Sequence, residues 1–271
     1  MAPDVYTHGH HASVLRSHGW RTAENSAAYL LPYLRPGQQV LDVGCGPGTI
    51  TLGLAERVAP GEVVGIDRFE AALVEARRNA GKRLSPESPA RISYQVGDVY
   101  ELDFSDDTFD VVHAHQVLQH LTNPVAALRE MRRVTRPGGL VAVRDADFGA
   151  ISWHPAQDGL DRWLDTYHQV TAANGAEADA GRRVLAWATE AGFERVFPSA
   201  AVWCFATPEE RAWWAGTWSE RVVHSAFAEQ AEEYGLATKS DLQMMSDAWR
   251  AWGDAEDGWF VLVHGELVAR V

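Results

Sequence analysis

Residues Val40-Leu41-Asp42-Val43-Gly44-Cys45-Gly46-Pro47-Gly48-Thr49 run an apolar strand into a turn dense in glycine, and Ile50 to Val58 reads as a helix. Without a Cβ at positions 44, 46 and 48 the main chain can turn sharply and let a ligand lie against it. A second apolar run, Glu62-Val63-Val64-Gly65-Ile66, ends in Asp67, nineteen residues after Gly48, where a carboxylate at a strand end can accept both hydroxyls of a ribose. The pattern describes an adenosine-binding βαβ unit and so an α/β fold built on a parallel sheet.

The dinucleotide fingerprint requires glycine at its first, third and sixth positions. Counted from Gly44 the sixth is Thr49, and Gly48 comes one residue early. The nicotinamide-dependent oxidoreductase reading is weakened accordingly. The run Asp-x-Gly-x-Gly-x-Gly instead resembles the first motif of class I methyltransferases that use S-adenosylmethionine and release S-adenosylhomocysteine. The resemblance extends over at least residues 38 to 147.

Three further stretches follow that family's order. Gln95-Val96-Gly97-Asp98-Val99 ends a third strand in a carboxylate, Phe109 to Leu121 resembles a fourth strand running into a short helix, and Arg136-Pro137-Gly138-Gly139 before Leu140-Val141-Ala142-Val143 resembles the turn and fifth strand. The resemblance implies a Rossmann-like, seven-stranded, mostly parallel sheet with helices on both faces, an N-terminal helical lid and a helical insertion between the last two strands. It implies a lid over 1–35, a cofactor-binding core over 36–150, and completion of the sheet over 151–271 with the insertion at about 207–256. It also implies cofactor contacts at Asp42, Gly44, Cys45, Gly46, Gly48, Asp67, Arg68, Gly97, Asp98, Val99 and His115. Asp42 lies near the methionyl ammonium, Asp67 on the ribose, and Asp98 with Val99 at the adenine. Asp110, at the strand end remote from ligands, reads as structural.

Formal net charge is -13, which disfavours capture of nucleic acid, since phosphate neutralisation supplies most of that affinity. The cluster Arg129, Arg132, Arg133 and Arg136 reads as a solvated helix end. There is neither a secretory leader pattern nor an apolar stretch of about 18 residues, so the expectation is a soluble cytoplasmic protein that does not engage membranes. The only cysteines, Cys45 and Cys204, are far apart and support neither a disulfide framework nor a cysteine metal site. A homodimer is compatible with the sequence, which otherwise fixes no oligomeric state.

Residues 4 to 20 are rich in histidine (His8, His10, His11, His18) without zinc-type spacing, and no metal is expected. The segment resembles the lid of small-molecule methyltransferases. On that reading Tyr6, His11, Arg16 and Arg21 approach the cofactor or acceptor, with arginine the better group for the methionyl carboxylate. A helix is expected from Thr22 to Leu34, others over 71–80, 124–134, 158–174, 180–191, 208–234 and 240–252, and late strands over 194–206 and 259–264. Ser85-Pro86-Glu87-Ser88-Pro89 reads as a loop.

Ten of the eleven tryptophans lie at Trp153 or later. Either the insertion lines an acceptor pocket, with Tyr6, His11, Asp147, Trp214, Trp218 and Trp249 the chosen residues, or Trp213, Trp214, Trp218, Phe227, Met244, Met245, Trp249 and Trp252 form a small hydrophobic core. The reaction implied is in-line methyl transfer to oxygen, nitrogen or carbon of a small, partly apolar, natural-product or quinone-like molecule. Such a displacement needs collinear geometry and exclusion of water, and a base only for some acceptors. Base candidates are His113, His115, Asp145, Asp147 and His11; alternation puts His113 and His115 on one face, with His115 nearer the ligand rim. The alternative from another class is a cofactor-binding scaffold without transfer.

Overall fold

The computed structural model describes residues 4–7, 9, 11–85 and 87–271. His8 and His10 of the histidine-rich start, and Pro86 of the polar loop, lie outside the described residues. Seven strands, β1 Gln39–Val43, β2 Glu62–Asp67, β3 Arg91–Val96, β4 Phe109–His115, β5 Thr135–His154, β6 Arg195–Phe205 and β7 Trp259–Arg270, form one sheet in the order β3-β2-β1-β4-β5-β7-β6. The first five pair in parallel, and β7 runs antiparallel between β5 and β6. Central β1 and β4 are almost continuously buried, which explains their unbroken apolar runs.

The helices are α1 Ala12–Gly19, α2 Ala23–Ser26, α3 Thr49–Val58, α4 Glu70–Arg83, α5 Pro124–Arg133, α6 Asp158–Ala173, α7 Val184–Glu190, α8 Pro208–His224, α9 Ala226–Glu233 and α10 Lys239–Asp254. Their starts follow from local chemistry. Asn123 Oδ1 accepts from Ala126 N at 3.0 Å with Pro124 in the first turn of α5. Thr207 with Glu210, and Thr238 with Asp241, close reciprocal capping boxes on α8 and α10. Among the described residues no helix is long and apolar enough to cross a membrane.

Several expected boundaries differ. The helix from Thr22 to Leu34 is one short turn, α2, followed by a 3₁₀ turn at Leu31–Tyr33. Pro32 has no N–H to continue an α ladder. The helix over 208–234 breaks at Ser225, whose extended backbone separates α8 from α9 while its Oγ donates to the Arg221 carbonyl at 2.7 Å. Strand β5 runs to His154, well beyond 143, because β7 pairs with it from Leu140↔Arg270 to His154↔Trp259 across a register shift. Arg136 therefore lies on β5, bonded to Asp110 at 2.8 Å, and not on the α5 end; Asp110 also accepts from Gln39 N at 2.7 Å.

Helices α5 and α7 cover one sheet face, α2 and α3 the other. The projecting ends of β5, β6 and β7 carry a second core with α6, α8, α9 and α10. Here Trp163, Trp218 and Trp249 meet, Trp218 and Trp249 stacked at 5.7 Å and Trp163 edge-on to them at 4.7 and 4.8 Å. Trp214 stacks on Phe205 at 4.3 Å. The tryptophan-rich segment is thus a hydrophobic core, since its central indoles are shut off from solvent. Trp249→Ala is expected to lower the unfolding free energy by about 3–5 kcal/mol in urea titrations; a loss below ~1 kcal/mol would mean that the indole faces open space.

Candidate active site

The cleft opens at the carboxyl ends of β1, β2 and β4, where open α/β sheets place ligands. Gly44, Gly46 and Gly48 all have positive φ. Position 48, which begins α3, admits nothing larger: a Cβ there would meet the Tyr94 hydroxyl at 2.5 Å and Ala76 at 2.9 Å. Gly46 is a different case, because the nearest atom to a Cβ would be His18 Nδ1 at 4.0 Å. Its bare backbone forms part of the cleft floor. The Asp67 carboxylate fixes this loop, accepting from Gly46 N at 3.0 Å and from Phe69 N at 2.9 Å.

Around that floor stand most of the residues expected from the sequence: Tyr6, Arg21, Asp42, Gly44, Cys45, Gly46, Asp67, Arg68, Gly97, Asp98, Val99 and His115 all line the cleft. Gly48 lies behind the loop. Asp42 is buried, its Oδ1 2.7 Å from His113 Nδ1 and its Oδ2 accepting from Thr51 at 2.6 Å. Burial pushes the Cys45 thiol pKa up, so the group is an inert, small wall residue.

The rim beyond β4 is cationic and imidazole-rich. Arg21 donates to Gln116 Oε1 at 2.6 Å, its Nε has no partner, and it enters no ion pair among the described residues. Burial, with repulsion from Arg221 and Arg144, brings its pKa down to about 9. Gln116, with φ 53°, also pairs through Nε2 with His264 Nε2 at 2.8 Å. His115 stacks on His264 at 6.2 Å, and neither ring nitrogen of His115 has a partner. Burial, then Arg21 and Arg144, hold the His115 pKa well below its ordinary value. His120 is pushed down to about 3 by burial and then Arg21, and Tyr6 is pushed up to about 12 by burial. Tyr6 lies with its hydroxyl 3.3 Å from His18 Nε2 and its ring edge-on to His120 at 4.8 Å. Behind them Arg144 pairs with Glu266 at 3.1 Å.

Other expected residues are not brought to the cleft. His11 caps α1, its Nδ1 accepting from Ser13 N at 3.2 Å, with the ring 6.0 Å from His224. Asp147 is held by Arg182 through both carboxylate oxygens, at 2.8 and 2.5 Å. Trp214, Trp218 and Trp249 belong to the second core. Arg16 pairs with Glu220 at the surface. Sequence reading did not single out Gln116, His120, Arg144, His264 or Glu266. Their signal was polar side chains placed within, or just after, strands that are otherwise apolar.

A model for a methyltransferase domain matches residues 34–214. An uncharacterized methyltransferase of Schizosaccharomyces pombe is 36% identical over 267 residues, covering 97% of this chain and 95% of that protein. The chain belongs to the class I S-adenosylmethionine-dependent methyltransferases. This methyltransferase is also similar to the probable methyltransferase ltbC of Aspergillus luteorubrus, at 30% identity over 97% of this chain and 96% of that one. In fold it is similar to phosphoethanolamine N-methyltransferase 2 of Haemonchus contortus, at TM-score 0.55, 18% identity, 90% of this chain and 52% of that chain.

Beside the cleft, Asp145 is buried, with Oδ1 accepting from Gln119 N at 3.0 Å and no partner for Oδ2; burial raises its pKa to about 7. A raised folded-state pKa makes the stabilising contribution complete below the unfolded value of 3.8 and lost as pH rises through about 7. Between those limits the methyltransferase is expected to lose stability relative to Asp145→Asn, measured by urea unfolding at several pH values. A pH-independent difference would show that this carboxyl ionises normally.

Proposed function

We propose that the enzyme methylates oxygen, nitrogen or carbon of a small, partly apolar, natural-product or quinone-like metabolite. The observation that carries the cofactor assignment is a single cleft lined both by carboxylates and by a guanidinium without an acidic partner. Asp67 and Asp98 line the same cleft as the Arg21 guanidinium, which has no acidic partner among the described residues. An adenosine joined to an amino acid presents hydroxyls and an amine at one end and a carboxylate at the other, so the residues fit it.

On this reading Asp67, which also accepts from the Gly46 and Phe69 amides, receives the ribose hydroxyls. Asp98, with Gly97 and Val99, borders the adenine, Arg68 flanks it, and the bare Gly46 lets the methionyl chain approach the loop. Asp42, engaged by His113 and Thr51, sets the negative potential near the ammonium, and Arg21 with Tyr6 receives the carboxylate. The bound sulfonium supplies an electrophilic methyl group. The protein orients the acceptor and excludes water with the lid, which is pinned by the Arg21–Gln116 bond and by Thr49 Oγ1 donating to the His18 carbonyl at 3.3 Å.

His115 acts as a neutral wall of this site. Protonating it would place an imidazolium beside Arg21 and Arg144, which opposes a general-base role. Gly46→Val is expected to weaken S-adenosylmethionine binding by about tenfold or more, because the branched side chain fills the floor. S-adenosylhomocysteine release in an acceptor screen, with titration of the variant, tests the reading. Unimpaired binding by Gly46→Val, or no release with any acceptor, would contradict it.

A further inference from the structure

Gln116 lines the cleft directly after β4, and its backbone is left-handed at φ 53°, with its N–H donating to the Arg144 carbonyl at 2.7 Å. A residue with a Cβ is strained in that conformation, and such positions persist where surrounding contacts hold them, often beside ligands. The side chain makes two of those contacts. Its Oε1 accepts from Arg21 Nη2 at 2.6 Å, and its Nε2 lies 2.8 Å from His264 Nε2.

The partners dictate which end of the amide faces which. A guanidinium carries only donors, so the atom that meets Arg21 has to be the amide oxygen. The amide NH2 is then turned to His264 and donates, which requires a lone pair on Nε2 and leaves the imidazole proton on Nδ1. His264 is suited to this, because burial, and then Arg144 and Arg21, push its pKa well below the ordinary value and keep the ring neutral. Trp203 backs both ends of the chain, its ring 4.3 Å from that of His264 and 5.7 Å from the Arg21 guanidinium carbon. A flipped amide would set donors against donors at Arg21.

The acceptor that holds Arg21 is therefore uncharged, and among the described residues Arg21 enters no ion pair. A carboxylate at position 116 would hold the guanidinium as firmly but neutralise it, whereas an amide orients it and leaves its positive charge for an anion in the cleft. We infer that Gln116 is a positioning residue for the cofactor: anchored on neutral His264, it aims Arg21 at the methionyl carboxylate as an uncompensated cation, and so sets the preference of the cleft for a ligand that carries one. The inference rests on the assignment of Arg21 to that carboxylate.

The test is calorimetric titration at neutral pH with S-adenosylhomocysteine and with decarboxylated S-adenosylhomocysteine, which keeps the adenosine, the sulfur and the ammonium and lacks only the carboxylate. The wild type is expected to bind S-adenosylhomocysteine at least about tenfold more tightly than the decarboxylated ligand. Gln116→Glu, of nearly the same shape, should bring that ratio within about threefold by weakening S-adenosylhomocysteine alone, and Gln116→Met, which can neither accept from Arg21 nor donate to His264, should lower it by about threefold or more. In the wild type, ¹⁵N NMR of histidine-labelled enzyme should show His264 as the neutral Nδ1–H tautomer. An equal loss for both ligands in the variants, as a merely structural role would give, an undiminished ratio, or an Nε2–H tautomer at His264 would each overturn the inference. The tautomer is read without any substitution, so a misfolded variant does not rescue the proposal. A wild type that binds both ligands equally would remove the carboxylate from Arg21 and the inference with it, whereas one that binds neither would count against the cofactor reading itself.

Discussion

Everything in the cleft hangs on how the sheet disposes of polar groups at its carboxyl edge. Asp42 sits at the last turn of β1 with almost no access to water, and its carboxylate is tolerable there only because His113 of β4 and Thr51 of α3 both bond to it. Those two bonds tie a strand, its parallel neighbour and the following helix at the point where the chain must open. Asp67 repeats the device one strand over, holding Gly46 and Phe69. Removing either carboxylate would leave donors aimed at nothing, and the loop would lose the geometry that presents its backbone.

The same face of the sheet continues this polar belt toward β7. His115, Arg144, His264 and Glu266 occupy alternate positions pointing to one side, where Ala142 and Val268 further along the strands are apolar. Gln116, in a left-handed conformation after β4, joins the belt to the lid by bonding both Arg21 and His264. The N-terminal segment and the sheet are therefore connected by polar contacts, whereas the segment before α1 packs closely on α9 at Gly9, where a Cβ would come within 2.7 Å of Ala226.

The Rossmann-like sheet and the glycine loop were legible because glycine spacing, strand-end acids and apolar runs are local signals with few physical meanings. Arg21 and His115 line the same cleft, Arg21 from the N-terminal segment and His115 from the end of β4. The place of Trp214, Trp218 and Trp249 was not legible, since an aromatic stripe at helical spacing has the same sequence signature whether it faces a pocket or a core. The outcome depended on the length of β5, whose projection past Asp147 is set by antiparallel pairing with a strand over a hundred residues later. His11 and Asp147 lie outside the cleft lining, engaged by a neighbouring backbone amide and a distant arginine, contacts that composition and spacing do not announce. Gln116, His264 and Glu266 matter only through contacts that the folded topology creates.

The central claim is that this cleft, with Asp67 at its adenosine end, is the S-adenosylmethionine site. Isothermal titration of the wild-type protein and of Asp67→Ala with S-adenosylmethionine, and of the wild type with NADH, tests it most directly. The account predicts saturable one-site binding of S-adenosylmethionine, at least about tenfold weaker in Asp67→Ala, and none of NADH. Equal affinity in the two proteins, or binding of NADH in place of S-adenosylmethionine, would contradict it.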